Sequence, residues 1–337
     1  MQKGENMDYS ENSINVPAWE LDDEGVLRIN SNAEYYTRES PAPWYSNRGR
    51  VKKIIIADGV TKIGKFSFYK CMALESVAIP DSVTQLGDGA FARCSALEAV
   101  ALPASITEIP DSCFARCAAL KSVSLPATLT TIRDSAFYSC GKLESIKLPD
   151  FVSSIGSYAF DTCTSLTELR LSESLTEISE RAFHGCAALK SLSFPASVVK
   201  IGDYAFNGCT GLEAASIPDT VKEIGCCAFD GCTALRSVKI SDSVTKIGDY
   251  AFYRCTALES AALPKGLANT GEKIFKGCIK LETVHIPASV LEIGYAAFDG
   301  CTALKTVMYA GNGQQWKNIR IGDLNEPLAD VKIIFES

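Results

Sequence analysis

The chain has 337 residues, of which 47% are hydrophobic, and a formal net charge of −7. This acidic balance argues against a nucleic-acid partner, because phosphate binding requires clustered Lys and Arg side chains. No run of apolar residues reaches the roughly 18 that a membrane-spanning helix needs, so we expect no transmembrane segment.

The first 50 residues differ in composition from those that follow. Residues 1–15 are polar, are predicted to be disordered, and lack the apolar stretch of a secretory signal. Residues 16–50 carry Trp19, the segment VLRI and the aromatic stretch NAEYYTRESPAPWYSNRGR, which together predict an amino-terminal cap. Two localisations stay open: the protein remains in the cytoplasm, or an export signal has been removed.

Residues 51–303 consist of eleven units of 23 residues, and a twelfth strand, LKTVMY, follows them. In the unit at 74–96, LESVAIPDSVTQLGDGAFARCSA, Val77 and Ile79 point to one face of a strand because they are two residues apart. Pro80 lacks a backbone donor and is expected to end that strand. Ser82 carries a hydroxyl that can bond the turn backbone, and Gly87 allows a tight turn.

Stacking of these units predicts an α/β solenoid with a parallel β-sheet on one face. The other, convex side of each unit is too short for long helices, so short helical turns are expected near the AF segments. A single unit cannot bury its own apolar side, and the ends of such a stack therefore require caps.

Cysteine and phenylalanine mark the period most clearly, since eleven of each recur at steps of 23 residues. Each type should form a buried column, and the Phe column should be a principal source of stability. We place the following residues in the structural core: Phe91, Phe137, Phe183, Phe229, Cys94, Cys140, Cys186 and Cys232.

The cysteine column is expected to hold reduced thiols. Stacked equivalent residues have parallel Cα–Cβ bonds, which suit a disulfide poorly, and a one-dimensional ladder cannot surround zinc with four ligands. We therefore predict no metal and no cofactor. Among the cysteines outside the column, Cys227 is the one expected to be exposed, because it aligns with Tyr158, Tyr204 and Tyr250.

The outward positions of the predicted strands are mostly Ser and Ala, and one group of charged residues interrupts them. Lys147, Glu168 and Arg170 occupy adjacent strands, flanked by Asp150 and Glu173. These five residues, the charged island, either form mutually compensating surface ion pairs of small energy or bind a ligand. The residues alone do not separate these two interpretations.

A second polar column follows the Phe column and reads Asp161, His184, Asn207 and Asp230 in four successive units. A weak metal site is conceivable there, but a hydrated surface ladder is the preferred interpretation. The only other histidine, His285, falls at a different repeat position, and no nucleophile can be assigned to either histidine. We therefore expect no enzyme activity.

Residues 304–337 comprise the last repeat strand and a segment that ends in the strand-like VKIIF, which predicts a carboxy-terminal cap. The units IPDSVTQLGDGAFARCSALEAV and IPDTVKEIGCCAFDGCTALRSV resemble the BspA-like leucine-rich repeat, and Leu74, Val77 and Ile79 fit its LxxLxL strand signature. The segments WELDDEGVLRI and YAGNGQQWKNIRIGDLNEPLADVKIIF are similar to the caps of these proteins. The resemblance covers nearly all of residues 17–337.

This resemblance implies a surface or secreted protein of the kind found in gut and oral bacteria, which binds host proteins or mediates adhesion. Taken with the residues, it favours a non-catalytic scaffold whose strand face binds a protein or glycan. The alternative is an intracellular protein-interaction scaffold. An export signal preceding Met1 would separate the two.

Overall fold

The computed structural model describes residues 2–3, 17–32, 36–37 and 40–336. It contains two compact units, Met1–Thr164 and Ser165–Ser337. Between neighbouring repeats of each unit, paired residues of the parallel strands lie 23 positions apart, as do Ala99 and Ser122. The fold is therefore a parallel-strand β-solenoid, and each 23-residue repeat forms one rung.

The first unit begins with an antiparallel hairpin and continues as a parallel sheet. Trp19–Leu21 pairs with Val26–Ile29, and parallel pairing then continues through Lys53–Ile56 to Ser76–Ala78. A 3-10 helix spans Tyr45–Arg50. The other strands that follow are Lys62–Ile63, Gln85–Leu86, Ala99–Ala101, Glu108–Ile109, Ser122–Ser124, Thr131–Ile132, Ser145–Lys147 and Ser154–Ile155.

Of the segment expected to be disordered, residues 1–15, the structure describes Gln2–Lys3, which pairs antiparallel with Trp19–Leu21. The other residues of that segment lie outside the described residues.

The second unit contains a seven-stranded parallel sheet and a narrower sheet of two-residue strands. The larger sheet consists of Ser191–Ser193, Ala214–Ser216, Ser237–Lys239, Ser260–Ala262, Thr283–Pro287, Thr306–Ala310 and Lys332–Phe335. The narrower strands are Glu177–Ile178, Lys200–Ile201, Glu223–Ile224 and Lys246–Ile247, and Glu292–Ile293 pairs separately with Arg320–Ile321. Glu168–Arg170 is the first strand of this unit.

Helices are few. Within the described ranges the only α-helix is Gly313–Lys317, and a 3-10 helix spans Glu326–Leu328. The AF segments, where short helical turns were expected, form turns that bond to the next rung instead. The Phe91 N–H donates to the Cys113 carbonyl oxygen (2.9 Å), for example, and the intervening N–H groups bond within their own rung. No helix in the described part of the chain is both long and apolar enough to cross a membrane.

The turn ladder depends on residues in the left-handed backbone region. Arg93 has a φ of 64°, and its N–H donates to the Ala115 carbonyl oxygen at 2.7 Å. A left-handed residue cannot continue a right-handed helix, so each turn stops before a helix can form. The ladder has one direction in both units, because these N–H groups all point to the following rung.

The core consists of stacked columns. All eleven repeat Phe side chains are fully buried, and neighbouring rings within a unit have centroids 5.2–5.7 Å apart. The eight residues assigned to the core from the sequence, Phe91, Phe137, Phe183, Phe229, Cys94, Cys140, Cys186 and Cys232, each have zero exposed surface.

Nine thiols of the cysteine column also donate a hydrogen bond to the preceding rung, a role that the sequence did not indicate. The Cys140 Sγ donates to the Phe114 carbonyl oxygen at 3.2 Å, and Cys232 donates likewise to Phe206 at 3.3 Å. Burial raises the pKa of Cys163 and of Cys209 to about 12. These groups therefore stay protonated at neutral pH, as donors to the preceding rung.

A hydroxyl two residues after the proline also bonds the preceding rung in several repeats. Ser82 Oγ donates to the Val60 carbonyl oxygen at 2.8 Å, and Thr220 Oγ1 donates to that of Val198 at 2.7 Å. The turn hydrogen bonding expected of this position is present. It uses the hydroxyl as a donor across rungs, which helps to fix their spacing.

Side chains outside the repeats satisfy backbone groups at the two ends of the turn ladder. In the first unit, the Trp44 Nε1–H donates to the Ser67 carbonyl oxygen at 2.8 Å, and its ring stacks on Phe68. In the second unit, the Asn325 Oδ1 accepts the Phe298 N–H at 3.0 Å. In the first unit a donor thus meets a terminal carbonyl. In the second unit an acceptor meets a terminal N–H.

Candidate binding surface

The three-residue strands present small exposed side chains. In Ser122–Ser124 and Ser191–Ser193 the two outer residues are exposed and the central residue faces inward. Alternate residues of a strand point to opposite faces, so the apolar central residue packs in the core while the hydroxyls face outward. The result is a surface of low relief that a partner can approach closely.

The charged island occupies this kind of surface, and all five of its residues are exposed. Lys147 is an outer residue of its strand in the first unit, and Asp150 follows in the next turn. Glu168 and Arg170 are the two outer residues of their strand in the second unit, where Glu173 follows them. The spacing of about 5 Å between Lys147 and Arg170 that strand stacking implies stays a prediction.

Other exposed charges of the repeats are paired between rungs. Lys121 lies 3.0 Å from Glu98, and Lys200 lies 3.0 Å from Glu177. The sequence places opposite charges 23 residues apart, and the register of the rungs brings them together. Ion pairs this exposed contribute little to stability, but they do neutralise the cations that take part in them.

The polar column after Phe contains a hydrogen bond between an amide and a carboxylate. Asn207 Nδ2 donates to Asp230 Oδ2 at 2.9 Å, and burial raises the pKa of the Asp230 carboxyl. Asp161 is buried in the first unit, whereas His184 is half-buried in the second. Among the residues that the structure describes, no three His, Cys, Asp or Glu side chains are arranged to hold a metal ion.

The other histidine, His285, lies on the outer face of Thr283–Pro287, and its Nδ1 is 3.7 Å from Glu336 Oε1. It is half-exposed and belongs to the charged surface of the last rungs.

The thiol exposure predicted from alignment was wrong. Cys227 is buried, with 8% of its surface exposed, whereas its neighbour Cys226 is half-buried. The aligned Tyr204 is long enough to reach solvent, but a cysteine side chain in the same position is not. The nearby Cys227 thiol raises the pKa of the Tyr204 hydroxyl.

Sequence reasoning missed a row of cations on the turns of the first unit. Lys70, Arg93 and Arg116 occupy the same position in three adjacent rungs, and none of them pairs with a described carboxylate. A small cavity of about 60 Å³ lies nearby, lined by Thr37, Pro41, Ala42, Tyr45, Phe66 and Tyr69. The sequence signal is three basic residues at steps of 23, in a column that lies on the turns rather than on the strands.

Solved structures similar to this chain come from several bacteria. A leucine rich cell surface protein from Faecalibacterium prausnitzii A2-165 is 25% identical, with a TM-score of 0.51 over 90% of this chain and 95% of that one. The pneumococcal vaccine antigen PcpA is 20% identical, with a TM-score of 0.58 over 92% and 80% of the two chains. A leucine-rich repeat protein from Bacteroides ovatus is 25% identical over 97% and 100%, with a TM-score of 0.46.

A comparison with curated proteins found no match. The sequence profile of the BspA type leucine rich repeat region (6 copies) matches residues 41–160, 130–229 and 199–319. These ranges take in most of the chain, and the parallel strands with their 23-residue register are the architecture that such repeats form. The chain belongs to the BspA-type leucine-rich-repeat family.

Proposed function

We propose that this protein is a non-catalytic scaffold of a bacterial cell surface whose strand face binds a protein or glycan of the host. The observation that carries the proposal is the similarity to the leucine rich cell surface protein of Faecalibacterium prausnitzii, which extends over nearly the whole of both chains. A regular sheet of exposed small side chains supports a binding role, because a partner can contact many rungs at once.

The charged island is the proposed contact on that face. Arg170 offers a planar pair of donors that matches a carboxylate, and Lys147 offers a second positive charge. An acidic loop or a glycan carboxylate is the expected partner group. Because large aromatic anchors are scarce on the strand face, affinity should come from many small contacts.

The proposed architecture has eleven full repeats between two caps, at residues 16–50 and 304–337. The hydrogen bonds of Trp44 and Asn325 to the terminal turn backbone support the caps, because exposed solenoid ends require such partners. The same arrangement supports a stable scaffold that needs no partner to fold.

One observation favours the alternative of an intracellular scaffold: all fourteen cysteines are free thiols. Disulfides are typical of exported proteins and rare in the cytosol. The two alternatives differ in where the protein is found. Antibody labelling of intact and permeabilised cells of the source bacterium separates them, and labelling only after permeabilisation would reject the surface location.

A binding experiment tests the strand face itself. Host extracellular proteins and glycans are captured on the immobilised full chain, and each captured partner is then measured against Lys147→Ala/Arg170→Ala. The matched control is Lys121→Ala/Lys305→Ala, which removes two paired cations elsewhere. We expect weaker binding and a weaker salt dependence for the first variant alone. Equal affinity of the partner for both variants would show that the charged island is not the binding site.

A further inference from the structure

The turns of the first unit carry a row of like charges that the fold does not require. Lys70, Arg93 and Arg116, the basic stripe, stand on successive rungs, and the Phe rings of those rungs are 5.2–5.4 Å apart. Lys70 and Arg93 are half-buried and Arg116 is exposed. Like charges on adjacent rungs repel one another, and no carboxylate in the described part of the chain forms an ion pair with them.

The backbone at these three positions has a left-handed conformation, which favours glycine over a residue with a long side chain. Lys70, Arg93 and Arg116 have φ values of 62°, 64° and 62°. In the second unit the same column, also left-handed, holds mostly glycine: Gly185, Gly208, Gly231, Gly277 and Gly300. Glycine adopts this conformation without the steric cost that a side chain brings. The three cations therefore occupy positions where they strain the backbone and repel each other, a combination typical of functional sites.

The surroundings of the stripe suit a chain of sugars. The Lys70 ammonium lies 5.3 Å from the centre of the Tyr69 ring, and the Arg116 guanidinium lies 5.6 Å from that of Tyr138. Between these aromatic ends the neighbouring column is Ala92 and Ala115, which are small and buried. The stripe is therefore a shallow, straight track with a tyrosine at each end.

The aromatic cavity adjoins the same end of the track, because Tyr69 lines it together with Tyr45 and Phe66. The Arg48 guanidinium stacks 3.8 Å from the centre of the Tyr45 ring and adds a positive charge near the cavity. The cavity has the size of a small apolar group, such as the methyl of an N-acetyl substituent.

We propose that the basic stripe binds an acidic polysaccharide, a chain of sugar rings that bear carboxylate or sulfate groups. The spacing of the rungs, 5.2–5.4 Å between their Phe rings, is close to the length of one sugar residue in an extended chain, so successive anionic groups meet successive rungs. Tyrosine rings stack against sugar faces at the ends of the track. A nucleic acid is the poorer fit, because it requires a broader basic surface than three cations provide in an acidic protein.

The test uses the full chain with Lys70→Gly/Arg93→Gly/Arg116→Gly, because glycine already occupies this column in the second unit. This variant should keep or raise the melting temperature, so a loss of binding is not explained by misfolding. The matched control, Lys121→Ala/Lys246→Ala/Lys305→Ala, removes the same number of charges from cations that are paired with Glu side chains.

Titration calorimetry measures binding to heparin, hyaluronan, neutral dextran and single-stranded poly(dT) at two salt concentrations. We expect the parent and the control to bind heparin or hyaluronan but not dextran. The glycine variant should lose at least about tenfold in affinity, with a salt dependence shallower by roughly two to three counterions.

Three results would overturn the proposal. They are no binding of the parent to either acidic polysaccharide, an equal loss in the control, and tighter binding of poly(dT) than of the polysaccharides. The basic stripe lies on the turns rather than on the strands, so its failure would leave the proposed strand-face function standing.

Discussion

The Cys209 thiol donates to the carbonyl oxygen of Phe183, 26 residues earlier, at 3.2 Å. The same bond recurs along the cysteine column, as from Cys94 to Phe68 and from Cys301 to Phe275. Within each unit, these cysteines are thus joined to the phenylalanine of the preceding rung. The two residue types that mark the period in the sequence are therefore the two sides of one contact between rungs.

Removal of a phenylalanine ring from the column should destabilise the protein strongly. Phe206 is fully buried, with neighbouring rings at 5.6 and 5.5 Å, so Phe206→Ala leaves a cavity between two rungs. We expect the free energy of unfolding to fall by about 3–5 kcal/mol, measured by denaturant titration. The control is Phe151→Ala, because 69% of the Phe151 surface is exposed. Equal effects of the two substitutions would contradict the buried column.

Thiol chemistry should distinguish Cys226 from the other thirteen cysteines. Cys226 is the half-buried one, whereas burial raises the pKa of column thiols such as Cys163 to about 12. A disulfide reagent added to the native protein at pH 8 should label one thiol rapidly, and Cys226→Ser should abolish that phase. In denaturant all fourteen should react. Rapid native labelling that survives Cys226→Ser would show that the column is accessible.

The stability of the second unit should depend on the ionisation of Asp230. Burial raises the pKa of this carboxyl in the folded protein, so the folded state holds the proton more tightly than the unfolded state does. The ionised form therefore destabilises the protein at neutral pH, and this penalty disappears as the pH falls through the folded pKa.

Asp230→Asn should accordingly raise the melting temperature at pH 7, and the gain should shrink towards pH 4 and below. The Asn oxygen can still accept the hydrogen bond of Asn207. Thermal melts across pH test this, with the exposed Asp58→Asn as the control. A parent protein more stable than Asp230→Asn at neutral pH would reverse the assigned sign.

A glycine in the tight turns is required by the approach of the neighbouring rung. A Cβ placed on Gly87 would lie 2.3 Å from the Lys65 backbone nitrogen, so Gly87→Ala forces backbone atoms apart. We expect a loss of about 1–3 kcal/mol in unfolding free energy, by analogy with overpacked cores.

Gly141→Ala is the matched control, because the nearest atom to its added Cβ is a Thr164 hydroxyl at 3.5 Å. It should change stability by less than about 0.5 kcal/mol. Similar losses for the two alanine variants would indicate a general intolerance of side chains in turns rather than the contact at Lys65.

The parts of the fold that could be predicted are those that a fixed spacing determines. The recurrence of Phe and Cys at steps of 23 residues places equivalent residues on adjacent rungs, whatever the details of the turn. Pro80 also behaves as expected: the strand ends at Ala78, and the Pro80 carbonyl accepts the Val83 N–H to open a turn.

The parts that could not be predicted depend on backbone angles and side-chain length. The left-handed φ of residues such as Arg93 replaces the expected helical turns with bonds to the next rung. The alignment of Cys227 with tyrosines predicted its position in the repeat, but the short cysteine side chain does not extend to solvent as tyrosine does. The more exposed thiol is therefore that of the neighbouring Cys226. For the charged island, the sequence supplied the residues and the expected strands, but its ligand stays a proposal.

The one-way hydrogen bonding of the turns makes the two ends of each stack chemically different. A fragment without Trp44 would expose carbonyl acceptors, and one without Asn325 would expose N–H donors. At the turns these two ends complement each other but not themselves, so the turn ladder would favour head-to-tail over head-to-head contacts between uncapped fragments. Such contacts do not close on themselves, and their product is an open polar filament. Trp44 and Asn325 would each then block such growth at the end that they cover.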